Sequence, residues 1–274
     1  MNPKKLSAAA ALGVVAALAG APGALANGAA DVPRLTIPDL PFPADKIEHR
    51  VTKQCTAASG LYANYNDNGC TVTDWYITSD RDHELWRDEN TGALRGENAT
   101  VNSTIFSWSG RTNELFVSAS RKQGKPSNAT REAIAAMYRE GVARGWYTAT
   151  DEVRDGRAVT VLRETDAAQK SDQVGEVVVT RDTYELISRT FRTTNGQLSY
   201  AETVVKVEQL PRNAETEKLL EMGEHAGSTV REVVGEDGVI ATAARKMGLS
   251  AKTRAQIAKK AKAGKKTTRK GRRS

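Results

Sequence analysis

The chain has 274 residues, 39% hydrophobic, 5% aromatic and 27% charged, with a formal net charge of +7. That balance excludes a wholly disordered chain, and two cysteines are too few for a disulfide-dense scaffold. The charge is unevenly spread: residues 245–274 carry 13 Lys or Arg and no acid, and with Lys4 and Lys5 also set aside the body from 27 to 244 stands at −8.

Residues 1–26 have the parts of a secretory signal peptide. Lys4 and Lys5 give a positive start, Ala8 to Ala19 run without a charge, and Ala24-Leu25-Ala26 offers the small-x-small cleavage pattern. The apolar run is shorter than the ~20 residues that span a bilayer, and no cysteine follows it at a lipidation position. The expectation is a secreted or periplasmic protein of the cell envelope. In that oxidising setting Cys55 and Cys70 predict one disulfide, worth ~3 kcal/mol in the chain-entropy model for a loop of about this length. Pro33, Pro38, Pro41 and Pro43 break helix and sheet, so 27–45 reads as an extended linker.

From 46 the dominant period is two. Thr73, Trp75 and Ile77 alternate with Asp74 and Tyr76, Val101 to Trp108 reads as one β-rich strand, and Leu115, Val117 and Ala119 share a parity. Val159 and Val161 share a parity, Val177 to Val179 is a fully apolar run and Leu198 to Val207 a long final strand, with turn signals at Asn68-Gly69, Ser109-Gly110, Asp155-Gly156 and Asn195-Gly196. Together they predict about nine antiparallel strands. One helix interrupts them: Ser127 or Asn128 can cap it, Ile134, Met137, Tyr138 and Val142 form its stripe, and Gly145 ends it. A lone amphipathic helix must bury its stripe on the sheet, which predicts an α+β fold, a curved antiparallel sheet (half-barrel) wrapped around a helix. After Pro211, Leu219, Leu220 and Met222 follow. Asp237 can cap a short helix carrying Val239, Ile240, Ala243, Ala244 and Met247, and Ser250 a second, so the basic C-terminal tail reads as partly helical, and as disordered from Gly264.

Val178 to Glu217 has a strand ending in Arg181-Asp182-Thr183-Tyr184, a strand out of that turn, a Gly196 turn and a strand closing at Leu210-Pro211. The hairpin around Trp86-Arg87-Asp88 and Thr91-Gly92, and the helix before Trp146, follow the same pattern. Across residues 46–224 the chain resembles the lipoprotein-carrier superfamily, the LolA, LolB and RseB-like half-barrels, in particular exported actinobacterial members. The resemblance implies a half-barrel with a helix on its concave side, and an apolar cavity used for acyl chains or for sensing lipoproteins. It divides the chain into signal peptide (1–26), linker (27–45), half-barrel (46–224) and basic tail (225–274).

Candidate cavity residues are Trp75, Phe106, Trp108, Phe116, Trp146 and Tyr147. Asn64 to Gly69 has the start of a calcium loop, but its twelfth position is Trp75 rather than Glu, and Asp80-Arg81-Asp82-His83-Glu84 reads as a solvated turn, so no metal is expected. With no nucleophile-and-base motif or phosphate loop, the chain reads as a binding protein, not an enzyme, with no cofactor. Lys259, Lys260, Lys262, Lys265, Lys266, Arg269, Lys270, Arg272 and Arg273 form a polyanion-binding tail that would hold it at anionic envelope polymers or a membrane surface. The expected partners are lipid or lipoprotein acyl chains. Two alternatives stay open: an envelope sensor or structural protein with a protein partner, and a tail-driven nucleic-acid binder. Ala241 to Ser250 resembles the first helix and turn of a helix-turn-helix, with Ile257 fitting the second helix and Arg254 not.

Overall fold

The computed structural model describes residues 38, 40, 42–56, 69–119, 129–165 and 173–270. Six strands come first: β1 (Lys46–Thr56), β2 (Cys70–Ile77), β3 (Arg81–Asp88), β4 (Leu94–Val101), β5 (Thr104–Ser109) and β6 (Glu114–Ala119). Helix α1 (Arg131–Ala143) leads to β7 (Tyr147–Arg154), β8 (Arg157–Glu164), β9 (Gln173–Thr180), β10 (Leu186–Thr193) and β11 (Leu198–Pro211). A 3-10 helix, Thr216–Leu220, then precedes β12 (Thr229–Val234), α2 (Asp237–Lys246) and α3 (Ala251–Lys270).

All twelve strands form one sheet in the order β12-β6-β5-β4-β3-β2-β1-β11-β10-β9-β8-β7. Two antiparallel meanders meet at its centre, where β1 pairs with β11 from Lys46↔Pro211 to Thr56↔Tyr200. The α+β class and the meander match the sequence reading; the strand count of nine does not. One reason is Val101 to Trp108, which is two strands. Asn102 turns the chain with φ +53, and Val101 pairs back on Thr104. A second difference lies in β3, whose Asp82-His83-Glu84 start the sequence reads as a solvated turn ahead of the Trp86-Arg87-Asp88 hairpin. The third is β12, which lies parallel to β6, with Val230 opposite Leu115 and Val233 opposite Val117.

Helix α1 starts at Thr130, whose hydroxyl accepts from the Ala133 N–H at 3.1 Å, rather than at Ser127 or Asn128, which lie outside the described residues. Ile134, Met137 and Tyr138 bury its stripe against Leu162, Val177 and Val179 of β8 and β9. Cys55 and Cys70 stand opposite each other in β1 and β2 and form the disulfide, with Cα atoms 4.1 Å apart.

Residues 229–263, placed in the tail by the sequence reading, are built into the main sheet and its core. Ile240, Ala243, Ala244 and Met247 of α2 and Ile257 of α3 pack on Phe106, Trp108, Leu115 and Val117. Gly248 ends α2 with φ +69, a backbone conformation that favours glycine. The Ser250 hydroxyl accepts from the Thr253 N–H at 3.2 Å at the start of α3. Helix α3 continues to Lys270, through the stretch that composition reads as disordered.

Candidate binding faces

Directly opposed residues of an antiparallel pair point to one side of the sheet. The register therefore sorts the side chains into two faces. On one run Asn98, Glu84, Trp75 and Arg50, opposed in turn across β4, β3, β2 and β1. The same face carries Gln54, Glu202, Arg189, Val177 and Leu162, and α1 lies on it. On the other run Phe106, Ala99, His83, Tyr76, His49 and Glu208, and α2 and α3 lie there.

The six candidate aromatics therefore do not share one cavity. Trp75 and Phe116 are half-buried on the α1 face of β2 and β6. Tyr147 is on that face at the far edge, edge-on to Tyr138 with ring centres 6.1 Å apart, and half-buried Trp146 precedes it. Phe106 and Trp108 point the other way, into the α2 core, and Trp108 stacks on His225 at 3.5 Å.

The α1 face is also more polar than an acyl cavity. Across β1, β10 and β11 it buries Glu48, Arg50, Thr52, Gln54, Arg189 and Glu202. Arg189 is ion-paired with Glu202, and the Tyr200 hydroxyl donates to the same carboxylate at 3.0 Å. Burial works against the Arg189 charge, but Glu202 and Tyr200 more than offset it and raise its pKa. Arg50 pairs with Glu48 and lies 5.2 Å above the Trp75 ring, while Gln209 donates to Glu48 at 3.1 Å. Burial pushes the Glu84 carboxyl up to about 7; hydrogen bonds from Trp86 and Asn98 pull it down, and the charges of Asp82 and Glu202 add to the rise. Buried atoms with no hydrogen-bond partner also fall here, among them Arg50 Nε, Thr73 Oγ1, Trp75 Nε1 and Asn98 Oδ1.

The other face gathers all three histidines of the chain. His83 points Nε2 at Glu97 (2.6 Å) and Nδ1 at the Leu219 carbonyl (2.7 Å); His225 points Nε2 at the second Glu97 oxygen (2.5 Å), and the Gly223 N–H donates to Glu97 at 2.6 Å. Burial alone would raise the Glu97 pKa, but these donors and the two imidazoles hold it below the usual carboxylate range. His49 lies between Glu208 (2.8 Å) and Asp74 (3.2 Å) and stacks on Tyr76 at 4.4 Å. No group of His, Cys, Asp or Glu suited to a metal ion occurs among the described residues. The calcium-like Asn64–Asn68 stretch lies outside them, as do Arg272 and Arg273.

A third feature lies at the sheet's other end. A groove of about 410 Å³ runs between α2 and α3, over Ile240, Ala244 and Ile257, with Arg245, Arg254 and Lys262 at its rim. Sequence reasoning missed the His83–Glu97–His225 cluster, whose partners are up to 128 residues apart, and the buried ion pairs, because a charge in a strand reads as a solvent-facing position.

No family model matches the chain, and no curated protein sequence matches it. Solved structures similar to it include a conserved protein from Thermus thermophilus, at TM-score 0.43 and 8% identity over 69% of this chain and 91% of that one. They also include MucB in its complex with MucA from Pseudomonas aeruginosa, at TM-score 0.38 and 16% identity; the match takes in 69% of this chain and 59% of MucB. A LolA superfamily protein from Nitrosomonas europaea is similar at TM-score 0.24 and 9% identity, over 64% of this chain and 91% of that one. At these TM-scores and identities the matches carry no argument about this chain, and function is argued from its residues.

Proposed function

We propose that this is an exported, non-catalytic binding protein of the cell envelope that receives a lipidated protein partner across its α1 face. The observation that supports this is the division of that face. Helix α1 packs toward the β7–β10 end, while Trp75 and Phe116 lie half-buried on β2 and β6, toward the other end. Between them run buried charges and unpartnered donors, Arg50 Nε and Trp75 Nε1 among them. Apolar aromatics suit an acyl chain, and hydrogen-bonding groups suit a polypeptide. A lipidated polypeptide presents both; a bare acyl chain would leave the polar groups unsatisfied. The Lys- and Arg-rich α3 and the residues after it would hold the protein at an anionic envelope surface, each cation adding up to about 1 kcal/mol.

The test is native mass spectrometry of the protein isolated from its own exported fraction, followed by organic extraction. A co-purifying acylated polypeptide that is lost on Trp75→Asp or Phe116→Asp supports the reading. A clean unliganded mass with the disulfide intact, or a partner retained by both variants, overturns it.

A further inference from the structure

The α2/α3 groove sits on the face opposite α1, and two independent observations give it a ligand. The first is its shape. Helices α2 and α3 are joined by a short turn through Gly248, and where they face each other the side chains are small: Ala244, Ala258 and Ala261 leave about 410 Å³ open above Ile240 and Ile257. That volume falls at the low end of the range for small-ligand sites, and its floor is apolar.

The second is its charge. Elsewhere the described cations are largely answered by carboxylates: Arg50 by Glu48, Arg81 by Glu217, Arg189 by Glu202, and Lys246, on α2 itself, by Asp80 at 2.5 Å. Arg245, Arg254 and Lys262 all line the groove. The sequence cannot supply a carboxylate from α3, because no Asp or Glu occurs from 245 to 274. Asp237 is the one acid lining the groove. Three cations against one acid beside an apolar slot complement a ligand with an anionic head and a single chain. Arginine suits that head because its fork matches carboxylate or phosphate oxygens in pairs.

We propose that the α2/α3 groove binds a single-chain anionic amphiphile, with its chain over Ile240 and Ile257 and its head group at Arg245 and Arg254, which flank the Gly248 turn. This site is separate from the α1-face partner surface and does not rest on it.

The experiment is calorimetric titration of the protein with monomeric dodecyl phosphate, kept below its micellar concentration. Dodecylphosphocholine controls for the chain, inorganic phosphate for the head, and phosphatidylglycerol vesicles for a bilayer. The expected result is one-to-one binding of dodecyl phosphate, about tenfold tighter than dodecylphosphocholine, with phosphate alone much weaker. Ala258→Trp fills the slot from an exposed position and is expected to abolish binding; Ala241→Trp, also exposed, does the same from the facing helix. Arg245→Gln with Arg254→Gln is expected to erase the tenfold preference while leaving dodecylphosphocholine binding in place. Trp75→Asp, on the other face, is expected to leave the titration unchanged, which separates failure here from failure of the partner reading. The proposal is overturned by unchanged binding in folded Ala258→Trp and Ala241→Trp, by equal affinity for the two head groups, or by binding to vesicles alone.

Discussion

The two faces of one sheet are built on different physics. Under α2 and α3 the interior is mainly apolar: Phe106, Val117, Met247 and Ile257 are each at most 3% exposed and their contribution follows buried area, with the buried Glu97 carboxylate, held by His83, His225 and Gly223, as the polar exception. Under α1 the sheet centre buries ionised pairs instead, Arg189 with Glu202 and Arg50 with Glu48. An apolar core tolerates changes of shape better than changes of polarity. A buried pair tolerates the loss of both charges better than the loss of one. The C-terminal segment joins the fold mainly by apolar burial, with a few polar ties such as Lys246 to Asp80 and His225 to Glu97, whereas the centre of the α1 face is held by buried ion pairs.

The largest expected effect breaks a pair. Arg189→Met leaves the Glu202 carboxylate buried beside the Tyr200 hydroxyl alone and is expected to lower unfolding free energy by about 3–5 kcal/mol in urea titrations. Arg189→Met with Glu202→Leu should recover most of that loss. A single variant within about 1 kcal/mol of the parent would remove the distinction between the faces. Phe106→Ala, on the apolar side, is expected to lose about 3–4 kcal/mol, with no second substitution able to restore it by charge.

Glu84 sharpens the contrast through pH. Its carboxyl, held at about 7 when folded against 4.5 ordinarily, binds its proton more tightly in the folded protein. Its contribution is therefore complete below about pH 4.5 and is lost as pH rises toward and through 7. Glu84→Gln is expected to match the parent at pH 4.5 and to exceed it by up to about 3 kcal/mol at pH 8, read from paired melting curves. A constant offset at both pH values would mean that the carboxyl titrates alike in the folded and unfolded chain.

On the opposite face Glu97 has the reverse sign. Its lowered pKa makes its contribution full above the ordinary carboxylate range and lost as pH falls through the folded value. His225→Ala removes one donor to Glu97 and the stack on Trp108, and is expected to lose about 2 kcal/mol at pH 7. The deficit should shrink as acid protonates Glu97. Hydrogen exchange should quicken first at residues 219–225, which that carboxylate holds through Gly223 and His83.

How much of this was legible in the sequence depended on how local each signal was. Period two found β2, β6 and β8, a fully apolar run found β9, the i, i+3, i+4 stripe found α1, and the apolar set from Val239 to Met247 found α2. These are patterns within one element. The Trp86-Arg87-Asp88 hairpin marked the end of β3, but its start was read as a turn because Asp82, His83 and Glu84 are charged or polar, although His83 is answered by Glu97 on β4 and by the Leu219 carbonyl after β11. Strand β12 was missed as a strand because its pairing with β6 joins Thr229 to Glu114, more than a hundred residues apart. The same distance hid the site. The aromatics were visible as aromatics, but alternation alone could not say that Trp108 faces α2 while Trp75 faces the other way; only the register across β2, β3, β4 and β5 decides that.

Asp80, in the β2–β3 turn, tests how firmly the C-terminal segment is joined to the sheet. It accepts from Lys246 of α2 at 2.5 Å, from Arg212 at 3.3 Å and from Thr78 at 2.9 Å, so it ties that turn to two later parts of the chain. Burial raises its pKa, but the hydrogen bonds from Lys246 and Thr78 and the charges of Lys246 and Arg212 bring it down to about 2. A carboxyl lowered from 3.8 stabilises above its ordinary value and loses that contribution between about pH 4 and pH 2. The side chain is 31% exposed, so solvent screens the ion pairs and the full linkage value is not available. Asp80→Asn is therefore expected to cost only about 1 kcal/mol at pH 7, and nothing below about pH 2, by melting in low salt. The same loss at 1 M salt would show that the hydrogen bonds to Asp80, rather than its charge, hold α2 to the sheet.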